Sequence, residues 1–209
     1  QRVAVNVGNK DDDIRDLFGD EDVVIQSNRS IGVAEFAPLL REFGFSFLTL
    51  PDRVFPSTYK QWDAEEKASF LCGCYSANGS IIKGSRVSYK TTSRGFADAL
   101  VETLSDDFGI SAYVTTNRSK PVEFKNGTYI CKESYDINIG QQRDIQKFAQ
   151  IINFYQNYKR THLKKLIETR AHYVYDVIPN GECDVYDFSE PIRHWGVVNG
   201  LVVHNCAEE

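Results

Sequence analysis

The run Asp63-Ala64-Glu65-Glu66-Lys67-Ala68-Ser69-Phe70-Leu71-Cys72-Gly73-Cys74-Tyr75-Ser76-Ala77-Asn78-Gly79-Ser80 carries a helix signal marked at both ends. Asp63 is an N-cap residue, and Glu65 and Glu66 put negative charge in the first turn, where backbone N–H groups face outward. Together they predict a helix over 64–77. Phe70, Gly73, Cys74 and Ala77 recur at helical spacing, so one face is lined largely by small side chains. A second helix can approach such a face with its backbone unusually close. Gly79 ends the helix and leaves Asn78 at the C-terminal tip.

Working outward, residues 81–90 and 110–139 read as strands, with a helix at 94–108 between them. Helices at 144–154 and 158–170 follow. In the first strand Arg86, Ser88 and Lys90 alternate with Val87 and Tyr89, which predicts one polar, basic face and one face packed on helices. A two-stranded ribbon of that kind fits the DNA major groove. The formal charge is −5, which argues against a protein that coats nucleic acid uniformly. Its distribution is uneven, however. Acids crowd residues 11–22, whereas 83–94 holds Lys83, Arg86, Lys90 and Arg94 without a carboxylate. Lys159, Arg160, Lys164, Lys165 and Arg170 form a second basic run, and such ribbons grip phosphates locally.

From Leu71 to Gly79 the chain resembles the LAGLIDADG motif of homing endonucleases, and the element order over 61–170 looks like one αββαββα unit of that α+β fold. The resemblance implies double-stranded DNA as partner, contacted by Lys83, Arg86, Ser88, Lys90 and Arg94. It also implies Mg2+ as cofactor for phosphodiester hydrolysis, held by a carboxylate at the motif's eighth position. This chain has Asn78 there. An amide oxygen brings no negative charge, so metal affinity and water activation should fall, leaving DNA binding as the firmer expectation.

Upstream, Phe36 to Phe43 has the spacing of a short helix, followed by Gly44 and a Leu-Pro-Asp-Arg-Val-Phe-Pro run at 50–56. In two-unit endonucleases of the family a similar run precedes the second motif. Residues 1–60 therefore read as the tail of a first unit or as a linker.

The C-terminal end supplies separate chemistry. The Asn205 side-chain amide can attack its own backbone carbonyl, closing a succinimide and cutting the chain. His204 can protonate the departing amine, and Cys206 as thiolate can accept an acyl group. Asp184 to Phe188 reads as a strand, and Asn199-Gly200 marks a hairpin turn that would bring Asp187 and His194 toward the scissile end. This segment resembles the C-terminal splicing segment of an intein: a Tyr-Asp pair, a histidine seven residues on, an Asn-Gly turn and a terminal His-Asn-Cys. The resemblance assigns thiol tuning to Asp187, assistance of cyclisation to His194 and the penultimate acid role to His204. It implies the C-terminal strands of an all-β, Hint-type splicing domain over 171–205, with 206–209 as host residues. A plain cross-strand ion pair is the alternative for Asp187 and His194. Cys206-Ala207-Glu208 is similar to the active-site surroundings of a ribonucleotide reductase large subunit, with Cys206 as radical cysteine and Glu208 beside it.

The Thr-x-x-His signal of an N-terminal splicing segment is absent, so splicing would need that segment as a partner, upstream or in trans. With no methionine and Gln1 at its start, the chain reads as a fragment. Its 209 residues, 42% of them hydrophobic, suffice for one large or two small domains. No apolar run reaches the ~18 residues of a membrane span. The scattered, odd cysteine set suggests reduced thiols and a cytoplasmic setting, which makes the four Asn-x-Ser/Thr sequons chance matches. The competing class is a freestanding LAGLIDADG-type DNA-binding or nuclease protein without splicing.

Overall fold

A computed structural model describes residues 3–8, 10–18, 23–27, 30–33, 36–82, 84–124, 126–170, 181, 195–198 and 201–204. The chain divides into two compact units, Gln1–Ala171 and His172–Glu209.

The first unit opens with β1 (Val3–Asn6), α1 (Asp12–Arg15), β2 (Val23–Ser27) and β3 (Ser30–Val33), the strands forming a sheet of order β1-β3-β2. Helix α2 (Phe36–Glu42) follows, at the place its apolar spacing predicts. Residues 43–62 then run as an irregular strap held by aromatic rings. Phe45, Phe55, Tyr59 and Trp62 all lie against Phe70, with centroid separations of 5.3–5.8 Å. The Ser93 hydroxyl donates to the Arg53 carbonyl at 2.6 Å, tying the strap down at its middle.

Helix α3 (Ala64–Asn78) begins at Asp63 as the capping residue predicts. The Asp63 carboxylate accepts from Glu66 N, and the Glu66 carboxylate accepts from Asp63 N, both at 2.9 Å. This reciprocal pair satisfies two backbone donors that a helix start otherwise leaves open. The other end falls at Asn78, with Gly79 after it as the sequence expects. Gly79 is extended (φ −84°, ψ 152°) rather than left-handed. It is a glycine for lack of room: a Cβ would stand 2.5 Å from the Tyr75 carbonyl oxygen.

Strands β4 (Gly79–Ile82) and β5 (Arg86–Thr91) form a hairpin, so the single run predicted over 81–90 is broken by a turn that includes Gly84 and Ser85. Helix α4 (Arg94–Asp106) is capped by Ser93 Oγ accepting from Phe96 N, and ends where Gly109 turns left-handed at φ +59°. Strands β6 (Tyr113–Asn117), β7 (Lys120–Phe124), β8 (Gly127–Cys131) and β9 (Ser134–Ile139) come next, then α5 (Gln142–Ile151) and α6 (Asn157–Arg170).

The main sheet is four-stranded, β4-β5-β9-β6, with antiparallel neighbours throughout. Strand β5 is therefore an inner strand rather than half of a two-stranded ribbon. The ribbon is β7–β8, and it continues the β6–β9 pairing without slippage. Asn117 faces Ser134, and three residues further along each strand Lys120 faces Cys131.

Alternation gives the sheet two faces. Val87, Tyr89, Ile137 and Ile139 bury against Leu71, Tyr75, Leu100, Leu104, Ile145 and Phe148 of the helices. Burying a side chain of this size contributes about 1.5–3 kcal/mol, so this continuous layer sets the fold. The second unit contains β10 (Trp195–Val198) and β11 (Leu201–His204), paired antiparallel with Val198 opposite Leu201. Only residues 199 and 200 separate the strands, as the hairpin signal predicts. The strand expected at 184–188 lies outside the described residues. Among the described residues no helix is long and apolar enough to cross a membrane.

Candidate nucleic-acid interface

The sheet face turned away from the helices is largely polar because most of the residues that alternate onto it are polar, with Ile82 and Tyr113 as the exceptions. One cross-strand row reads Ser80, Ser88, Asn138, Tyr113, and the next reads Lys90, Asp136, Thr115. Arg86 Nε donates to Asn138 Oδ1 at 2.8 Å, and Arg86 Nη1 donates to Ser85 Oγ at 3.2 Å. Asn138 Nδ2 in turn donates to Thr115 Oγ1 and to the Asp136 carbonyl. Asn138 is buried and fully engaged, so it holds the Arg86 fork in one orientation. Lys90 lies 3.6 Å from Asp136, whose other oxygen accepts from Asn117 Nδ2. The lysine side chain is mostly exposed, and so open an ion pair is weak enough for a phosphate to replace.

The predicted contact residues separate on this geometry. Arg86, Ser88 and Lys90 share the polar face, but Ser88 is buried rather than open. It sits mid-strand between β4 and β9, where Ser80 and Asn138 flank it. Arg94 is on α4, whose Ala97 and Leu100 pack on the opposite, apolar side of the sheet. It is bonded to Asp98 at 2.9 Å and lies over the Tyr135 ring, so it does not join Arg86. Lys83 lies outside the described residues. Asp136 and Asn138 were missed by a reading that sought cations, although the alternation of Ser134, Asp136 and Asn138 was visible.

At the sheet's edge stands the tip of α3. Asn78 is exposed and hydrogen-bonds the Tyr89 hydroxyl. Burial pushes the Tyr89 pKa up, so that hydroxyl keeps its proton. The carbonyls around Asn78 are taken by a side chain from α6. Lys159 Nζ donates to Ser76 O at 2.7 Å and Gly79 O at 2.9 Å, with Tyr75 O at 3.5 Å. Gln156 Nε2 also donates to Ser76 O, at 2.9 Å, and Tyr155 N donates to Ser76 Oγ. Burial draws the Lys159 pKa down, and the nearby Asp11 carboxylate opposes the shift. Nothing in the sequence pattern marks Lys159, which reads there as one more member of a basic run.

These residues do not fit a divalent-metal site. Asn78 offers one neutral oxygen, and the adjoining carbonyls already face an ammonium. Among the described residues no cluster of three or more His, Cys, Asp or Glu could hold a metal ion.

Beside the tip, Gly73 and Ala77 are exposed, leaving the small-residue face of α3 open. On one flank a cavity of about 620 Å³ lies between this face and residues 5–18, and another of about 1010 Å³ separates it from Phe47, Leu50 and Val54.

In the second unit Trp195 pairs with His204, so the hairpin's open end carries the backbone of the predicted penultimate histidine. Asp187, His194, Asn205, Cys206 and Glu208 lie outside the described residues.

No curated protein matches the chain. Residues 65–153, which span α3 through the start of the α5–α6 connection, match the family model of the LAGLIDADG-like domain, and this supports a homing endonuclease domain of DNA-binding type in that part of the chain.

Proposed function

We propose that the unit built on 61–170 binds double-stranded DNA through the polar face of its four-stranded sheet. The observation that carries this reading is the Arg86–Asn138–Thr115 network, in which a buried amide presents a guanidinium at the sheet face opposite the packed helices α3, α4 and α5. A guanidinium held this way suits the acceptor pair on a guanine edge, and Lys90 suits a backbone phosphate. Cleavage is not part of the reading, because Asn78 supplies no charge for a metal. Gel-shift titration of random-sequence duplex across a salt series tests it. Affinity should fall linearly on logarithmic axes as counterions are released. Absence of duplex binding at low salt would overturn it.

A second activity is proposed for 171–209, supported by the antiparallel β10–β11 pair that ends at His204. We infer C-terminal protein splicing in concert with an N-terminal splicing segment. Cys206 as thiolate accepts the upstream acyl group. The Asn205 amide nitrogen then attacks its own carbonyl carbon, and the bond to the Cys206 nitrogen breaks as His204 supplies the proton. His194 assists that cyclisation and Asp187 tunes the thiol. Magnesium plays no part in these steps. The flanking host would be of the ribonucleotide reductase type, with Glu208 beside Cys206. An Asn205→Ala precursor, reconstituted with its N-terminal segment, should stall before release of the downstream flank. Unaltered ligation would sink the splicing reading.

A further inference from the structure

We propose that Lys159 is the resident cation of the motif helix, taking the carbonyl end of α3 around Asn78 so that this site engages DNA without a divalent ion. The inference rests on the DNA-binding reading above and names what stands in the metal's place. The last carbonyls of a helix carry partial negative charge and attract cations. Here two carbonyls of the last turn, from Tyr75 and Ser76, and that of the following Gly79 meet the three N–H donors of a single ammonium at 2.7–3.5 Å.

That ammonium is largely enclosed. Lys159 is only 8% exposed, and the Phe154 ring lies 5.5 Å from Nζ. Gln156 Nε2 bridges from Ser76 O to Asp11 Oδ1, so the carboxylate from the N-terminal segment reaches this corner through an amide. Asp11 is also the charged group that acts on Lys159 from outside α6.

The charges match the residue at position 78. A carboxylate there would attract a divalent ion, but that ion would meet a fixed positive charge on carbonyls that flank it in the chain. A neutral amide avoids the conflict. It leaves one buried positive charge whose field reaches the tip of α3, where a phosphate can approach. Lys159 acts here as a positioning residue: it holds the turn that presents Asn78.

The test titrates manganese(II) into the free protein, without DNA, followed by electron paramagnetic resonance. The intact protein should show no saturable binding. Asn78→Asp should bind weakly, and Asn78→Asp with Lys159→Met should bind at least about tenfold more tightly, since removal of a nearby like charge lifts the repulsion. Equal affinities in the single and double variants would overturn the proposal, as would saturable binding by the intact protein. Should Lys159→Met fail to fold by circular dichroism, the unsubstituted protein still decides. Its duplex affinity should change less than about twofold between EDTA and magnesium at equal ionic strength. A gain of tenfold or more with magnesium overturns the proposal. Failure to bind duplex at all removes the DNA reading alone, because the manganese titrations need no DNA.

Discussion

Arg86 and Asn138, separated by 52 positions in the chain, meet at 2.8 Å across β5 and β9, and the amide fixes where the guanidinium points. Arg86→Ala should therefore weaken duplex binding by about tenfold, ~1.4 kcal/mol, and flatten sequence preference. Asn138→Ala should weaken binding less while costing about 1–2 kcal/mol of stability, because it removes a buried hydrogen-bonding centre. Gel shifts on a sequence panel and urea unfolding give the two readouts. Equal DNA affinity for Arg86→Ala and the unsubstituted protein would refute the assignment.

The reciprocal Asp63–Glu66 cap predicts a local loss. Asp63→Ala should lower stability by about 1 kcal/mol. Trp62 sits directly before the cap, so its fluorescence during urea unfolding is a suitable probe. An unchanged midpoint would mean that the cap contributes nothing.

Two glycines of the same region should respond oppositely. At Gly79 an added Cβ meets the Tyr75 oxygen at 2.5 Å, whereas at Gly73 nothing lies within 4 Å. Gly79→Ala should destabilise by about 1–3 kcal/mol through forced displacement of the α3–β4 junction. Gly73→Ala should be neutral or stabilise by up to about 1 kcal/mol, since alanine restricts the unfolded chain. Thermal melts of the two variants side by side provide the comparison.

Burial raises the Cys74 thiol from 9.0 to about 12 and the Tyr59 hydroxyl from 10.0 to about 12. For Tyr59 the neighbouring Asp107 adds to the shift. Both groups fold as neutral acids, so their contribution is complete below the unfolded values and is lost as pH rises toward about 12. Stability should accordingly hold to about pH 9 and fall between 9 and 12, with the Cys74→Ala variant showing a shallower decline. At pH 8 the native Cys74 should alkylate more slowly than an unperturbed thiol. Labelling as fast as that of an unperturbed thiol would contradict the raised pKa.

Much of the α/β order was legible because its signals are short-range. Asp63 marks a helix start by bonding within three residues, and the alternation of Arg86 through Lys90 belongs to the strand itself. The pairing of Val198 with Leu201 agrees with the hairpin signal of Asn199-Gly200 in the sequence. Less was legible at the site. A basic residue looks the same in sequence whether it faces solvent, as Lys90 does, or lies beneath a helix end, as Lys159 does. Ser88 was read as open because alternation tells which face a residue joins but not what covers it.

By itself the sequence determined where α3 starts and which strand residues share a face. These depend on bond geometry and on neighbours within a few positions. Only the tertiary structure decided that Asn138 would orient Arg86, that Gly79 is small to clear a carbonyl, and that Lys159 would meet Ser76 from 83 residues away. Each of those outcomes depends on which distant groups the packed core brings within hydrogen-bonding distance, and no local pattern encodes that.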